Sequence, residues 1–100
     1  MIVHDIATSR AGDKGNMSQI AVIAREPVYY PMLVEKLTTS VVASAFAGIA
    51  HGPITRHELP HLSSLMFLME DALGGGVSIS LAADPHGKSL SSLMLGIKLD

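Results

Sequence analysis

An α+β domain, a two-layer sandwich of a four-stranded sheet with helices packed on one face, is the fold class this sequence predicts. Three observations lead there. Strand-like alternation and helix-like spacing of apolar residues interchange along the chain, in the order strand, strand, helix, helix, strand, helix, strand, helix. Each helical segment has one greasy side that must be buried against another layer. A length of 100 residues suits one compact domain and excludes repeat arrays and two-domain enzymes.

The first strand is expected over residues 2–8, where Ile2, His4 and Ile6 alternate with Val3, Asp5 and Ala7. Residues 9–16 then read as a polar loop broken by Gly12 and Gly15. Residues 17–25 resume as a run apolar on both faces, as an inner strand would be. After Pro27, the spacing of Tyr30, Leu33, Val34 and Leu37 predicts a short helix with Pro31 in its first turn, where a missing N–H costs little. Thr38, Thr39 and Ser40 are N-cap candidates for a second helix carrying Val41, Val42, Ala45, Phe46 and Ile49, which ends at the punctuation between Gly48 and Pro53. Residues 54–59 read as a strand with mixed faces, stopped by Pro60. Leu62, Leu65, Met66, Met69 and Leu73 trace a helical stripe ending at Gly74. Val77, Ile79 and Leu81 alternate as a fourth strand, residues 84–87 make a turn, and Ser89 is placed to cap a last helix with Leu90, Leu93 and Met94 inward.

Composition narrows the function classes. The chain is 48% hydrophobic and 16% charged, with a mean hydropathy of +0.38, which excludes disorder and leaves little polar surface for a lone small globule. An oligomer or a docked partner is therefore expected. Seven Lys and Arg against nine Asp and Glu, with no basic run, give no footprint for nucleic acid or anionic membrane. The absence of cysteine excludes a disulfide scaffold, thiolate zinc sites and a Cys nucleophile, and is compatible with the cytoplasm, the default compartment. Residues 1–5 lack the basic start and apolar stretch of a signal peptide, and the longest apolar run, residues 65–69, falls far short of the ~18 residues that span a bilayer.

The densest polar cluster lies between Arg10 and Asn16. Its two glycines let backbone N–H groups approach a ligand, with Arg10, Lys14 and Asn16 as donors, so it reads either as an anion cradle or as a structural loop in which Asp13 pairs with Arg10 or Lys14. It is not a phosphate-binding loop of the P-loop type, because no Lys-Ser/Thr follows at the required spacing. Gly74, Gly75 and Gly76 suggest a backbone passing close to a ligand or to another loop, or simply a tight connection. His57 and His61 are separated by Pro60, which spoils a shared helical face, so no metal site is predicted. His57 and Glu58 fall on opposite strand faces and form no local acid–base pair, although either could meet the Arg10 loop across the sheet. No serine sits in a nucleophile elbow, and the methionines on apolar helical faces read as core filling or an adaptable interface.

The string Ser9-Arg10-Ala11-Gly12-Asp13-Lys14-Gly15-Asn16, followed by the run from Ile20 to Arg25, resembles the C-terminal ferredoxin-fold domain of the AtuA family, named for acyclic terpene utilisation. Tyr30-Pro31, Leu37-Thr38, Arg56, Glu58-Leu59-Pro60, Ala72-Leu73 with Gly74 to Gly76, and Asp84 with Gly87-Lys88 continue the resemblance over nearly the whole chain. It implies a ferredoxin-like α+β domain that many relatives carry behind a much larger AtuA-type domain, in the breakdown of branched acyclic terpenoids as CoA thioesters. The domain is expected to stand alone here, with a separate large subunit as its partner. Arg10, Gly12, Asp13, Lys14, Gly15 and Asn16 match the most recognisable string, but the resemblance assigns this domain no reaction, no catalytic residue and no cofactor. The sequence departs from the pattern at Met66, where Asn is usual, at His57, where Tyr is frequent, and at Ala82, where an Arg is common. Three functions stay open. One is an accessory subunit whose loops, residues 10–16 and 74–76, meet a large partner or an anionic ligand such as a CoA thioester. Another is an enzyme subunit in which Asp13, His57 or Glu58 moves a proton during acyl-CoA hydration or isomerisation. The third is a homo-oligomeric structural module without a ligand.

Overall fold

The computed structural model describes residues 1–14, 17–47, 52–70 and 88–99. Among them are strands β1 (Ala7–Lys14), β2 (Met17–Ala24), β3 (Ile54–Leu59) and β4 (Ser64–Met69), and helices α1 (Tyr30–Lys36), α2 (Thr39–Ala45) and α3 (Lys88–Leu95). The four strands form one sheet in the order β1-β2-β4-β3, with every neighbouring pair antiparallel. The helices lie on one face. Between the layers sit Ile20, Val22, Leu65, Phe67 and Met69 from the sheet and Leu33, Leu37, Val42, Phe46, Leu90 and Met94 from the helical side, all buried. This is the expected two-layer α+β architecture, with β2 an inner strand as its apolar run predicts.

Three elements differ from expectation, each for an identifiable reason. Of the strand expected over residues 2–8, only Ala7 and Thr8 are strand. The Asp5 carboxylate accepts the amide of Ile2 at 2.9 Å, and the Asp5 and Ile6 amides donate to the carbonyls of Ile2 and Val3, each at 3.0 Å. That tightens Val3–Asp5 into a 3-10 turn. Ile2 instead bridges Lys98, so the N-terminal segment is tied to the chain that follows α3.

The strand starts later and runs through most of the expected loop. Arg10, Gly12, Asp13 and Lys14 belong to β1, paired in register with Ala21, Gln19, Ser18 and Met17. The alternation was hidden because the inward positions are small: Ala7 is buried and Ser9 and Ala11 half-buried, while Thr8, Arg10 and Gly12 are exposed. Thr8 and Arg10 mark the outer side of an edge strand that continues where the sequence predicts a loop.

The expected helix from Leu62 is also a strand. Pro60–Leu62 forms a 3-10 turn, Ser63 turns the chain with φ of 48°, and β4 follows. Apolar residues at 62, 65, 66 and 69 fit a helical stripe, but an unbroken apolar run of five fits a central strand equally well, and two strand partners decide it. The expected fourth strand at residues 77–82, the turn at 84–87 and the glycines at 74–76 lie outside the described residues.

The helices follow the sequence more closely. Pro31 stands in the first turn of α1, with Leu33 buried. The Thr38 hydroxyl caps α2 by accepting the Val41 amide at 3.3 Å. Within α3, Leu90 and Met94 face the core, Ser89 lies inside the helix instead of capping it, and the Ser91 hydroxyl donates to the Ser9 carbonyl at 3.1 Å, fastening the helix to β1.

Candidate functional site

The register fixes what the sheet presents on the face turned away from the helices. One row runs Thr8, Ile23, Ser64, Leu59; the next Arg10, Ala21, Met66, His57; the third Gly12, Gln19, Leu68, Thr55. Met17, Ala21, Ile23, Leu59, Met66 and Leu68 on this face are half-buried, and none belongs to the core cluster or packs against it. Arg10 and His57 are exposed at opposite ends of their row. The guanidinium of Arg10 has no hydrogen bond or ion pair among the described residues.

Of the expected site residues, Arg10 and Gly12 therefore stand on this face, and Asp13 and Lys14 continue β1 through their backbone pairing. Gly15, Asn16, Gly74, Gly75 and Gly76 lie outside the described residues. A Cβ at Gly12 would meet nothing within 4 Å, so no close approach requires glycine there.

The proton-transfer candidates are not brought together. His57 shares a row with Arg10, but three strand spacings of ~4.8 Å put their backbones roughly 14 Å apart, whereas a general base works within about 3 Å of its proton. Glu58 is on the opposite face, as expected, and is engaged by Arg56 at 3.1 Å. Among the described residues no three His, Asp or Glu converge. Two surface recesses, of about 250 and 260 Å³, are lined by Ile2, His4 and Ser92 and by Thr39, Ser40 and Gly52 among others. In the first, the His4 carbonyl accepts two hydrogen bonds from Arg25, at 3.1 and 3.0 Å.

Sequence reading missed a polar staple on the core side of β3. Arg56, only 17% exposed, donates through Nη1 to the carbonyls of Val34 and Leu37, both at 2.9 Å, and through Nη2 to Glu58. Helix ends leave carbonyls without intrahelical partners, and a guanidinium supplies several donors in a fixed plane. Arg56 thus ties the end of α1 to the sheet, and its place in a strand of mixed faces was the available signal.

Next to this staple, the Tyr30 hydroxyl is shut from solvent, near the Leu59 backbone but in hydrogen-bonding geometry with none of the described residues. Burial pushes the phenol above its ordinary value of 10.0 and the Glu58 charge adds to this, outweighing the opposite pull of Arg56 and the Leu59 backbone. Because the folded state holds the phenolic proton more tightly than the unfolded chain, Tyr30's contribution is complete below pH 10 and is lost as pH rises through the folded value. Tyr30→Phe is expected to leave stability unchanged or raise it by up to about 1 kcal/mol at neutral pH, since it removes an unpaired buried hydroxyl. It should also flatten the alkaline loss of stability, as urea unfolding of both proteins at about pH 8 and pH 11 would measure.

A four-stranded antiparallel sheet with helices on one side defines an α+β domain of the ferredoxin-like kind. Within that class the chain belongs to the AtuA ferredoxin-like domain family, whose family model matches residues 1–100. No significant match to a curated protein or to a solved structure was found. No helix among the described residues is long and apolar enough to cross a membrane.

Proposed function

We propose that this chain is a cytoplasmic accessory subunit of an AtuA-like assembly in acyclic terpenoid and branched acyl-CoA breakdown. It binds a separate large AtuA-type subunit through the β1–β2 hairpin. The observation that carries this reading is the exposed Arg10 on an edge strand, without a partner among the described residues and near the start of the string most typical of the family resemblance. An exposed guanidinium with no partner of its own is available to a carboxylate on another protein or to the phosphates of a CoA thioester. The low charged fraction of 16% also fits a chain that works covered by a partner.

The double variant Arg10→Ala with Lys14→Ala is expected to weaken capture of the purified large subunit by at least about tenfold, the order expected from losing one charge-assisted hydrogen bond. Surface plasmon resonance with immobilised large subunit reads this directly, and equal affinity for the variant and the parent chain would refute the reading.

A further inference from the structure

We infer that the sheet face turned away from the helices is a docking surface for a protein partner whose contact patch is apolar at its centre and rimmed by carboxylates. This inference rests on the reading of the chain as an accessory subunit and adds the surface used and the chemistry of what it meets.

Three observations carry it. First, Ala21, Ile23, Met66 and Leu68 lie side by side on the two central strands, half-buried and outside the core cluster, so their burial is incomplete in the chain by itself. Methionine among them favours adaptable packing against another surface. Second, the charge on the described positions of this face is positive. Arg10 stands exposed at one rim, and these positions include no Asp or Glu, although the chain as a whole carries a net charge of −2. Third, the face is small. Four strands at ~4.8 Å by six residues at ~3.4 Å cover roughly 400 Å², about half of the ~800 Å² each partner contributes to a stable interface.

Charge and size together select the occupant. A second copy laid face to face offers Arg10 no carboxylate from the described positions of either face. Two such faces also bury too little to hold a dimer. A larger protein with acidic groups around an apolar patch satisfies both conditions, because its surface extends past the sheet edges to complete the interface.

The chain has no cysteine, so single-cysteine variants report on this face without background. Ile23→Cys and Leu68→Cys probe it, and Val28→Cys, at a position 74% exposed and outside the sheet, is the control. In the isolated chain, maleimide labelling at 23 and 68 is expected within about tenfold of the control rate. Labelling more than a hundredfold slower at every concentration means that the chain's own residues cover the face. Protection that grows with chain concentration means that a second copy does. Either result overturns the inference. On adding the large AtuA-type subunit, labelling at 23 and 68 should slow at least tenfold while the control is unchanged, and Met66→Glu or Arg10→Glu should each weaken capture at least tenfold. Capture with labelling at 23 and 68 undiminished would overturn this inference and leave the accessory-subunit reading standing, whereas no capture by the parent chain would remove both.

Discussion

Phe67→Ala is expected to cost about 3–5 kcal/mol, a large part of the roughly 5–15 kcal/mol that holds a domain of this size together. Met66→Ala, one residue away, should cost less than about 1 kcal/mol. Phe67 is fully buried, stands between Ile20 and Arg56 on the neighbouring strands and faces the helices. Truncating it removes a ring from the middle of the layer interface, where the surrounding backbone is fixed by two ladders and cannot collapse into the gap. Met66 points the other way, onto the open face, and stands outside the core cluster. The comparison tests the strand assignment itself. On a helix, Leu65, Met66 and Met69 would share the buried stripe and Phe67 would sit beside it, so Met66→Ala would be the more damaging change. Urea unfolding of the two variants gives the answer, with a loss of melting temperature of about 4–8 °C for each kcal/mol as a second readout. A larger cost for Met66→Ala would refute the sheet order around β4.

The contrast between these neighbours shows where sequence reasoning ran out. Elements with local signals were legible: the Pro31 start of α1, the Thr38 cap of α2 and the doubly apolar run of β2 each depend on residues close in sequence. The run from Leu65 to Met69 was not, because its period fits helix and strand alike and only pairing with β2 and β3 resolves it. The same limit governed β1. Ser9, Ala11 and Gly12 are too small or too polar to show an alternation, so an edge strand reads as a loop over residues 9–14. Once register is known, Met66 and His57, two of the three departures from the family pattern, fall in one row with Arg10. That coincidence could not be seen while residues 62–73 were read as a helix. The Arg56 staple was hidden for another reason: its acceptors are main-chain carbonyls 19 and 22 residues away, which leave no trace in residue types.

Glycines give the second sharp expectation, and it inverts the emphasis of the sequence. Gly12 belongs to the typical string, yet a side chain there meets nothing within 4 Å; at Gly52, a Cβ would lie 2.6 Å from the carbonyl oxygen of Glu70 and 3.0 Å from its carbon. The obstacle is main chain, so no rotamer change relieves it. The same two segments are joined by hydrogen bonds from the Gly52 amide to Glu70 at 3.1 Å and from the Glu70 amide to Pro53 at 3.2 Å, extending the β3–β4 ladder beyond Ile54 and Met69. Gly52→Ala must push these segments apart, so overpacking of about 1–3 kcal/mol is joined by the loss of bonds worth about 0.5–1.5 kcal/mol each. A total of about 2–6 kcal/mol is expected, with faster hydrogen exchange at the amides of residues 52 and 70. Gly12→Ala should change stability by no more than about 0.5–1 kcal/mol and in the favourable direction, since alanine narrows the unfolded ensemble without strain in the strand. Because β3 carries Arg56, which holds the end of α1, the Gly52 substitution should also loosen that helix, seen as earlier exchange at the Leu37 amide, which donates to Leu33 at 2.9 Å. Unaltered stability of Gly52→Ala would mean that the close approach of residues 52 and 70 is wrong, and with it the way the edge of the sheet is closed.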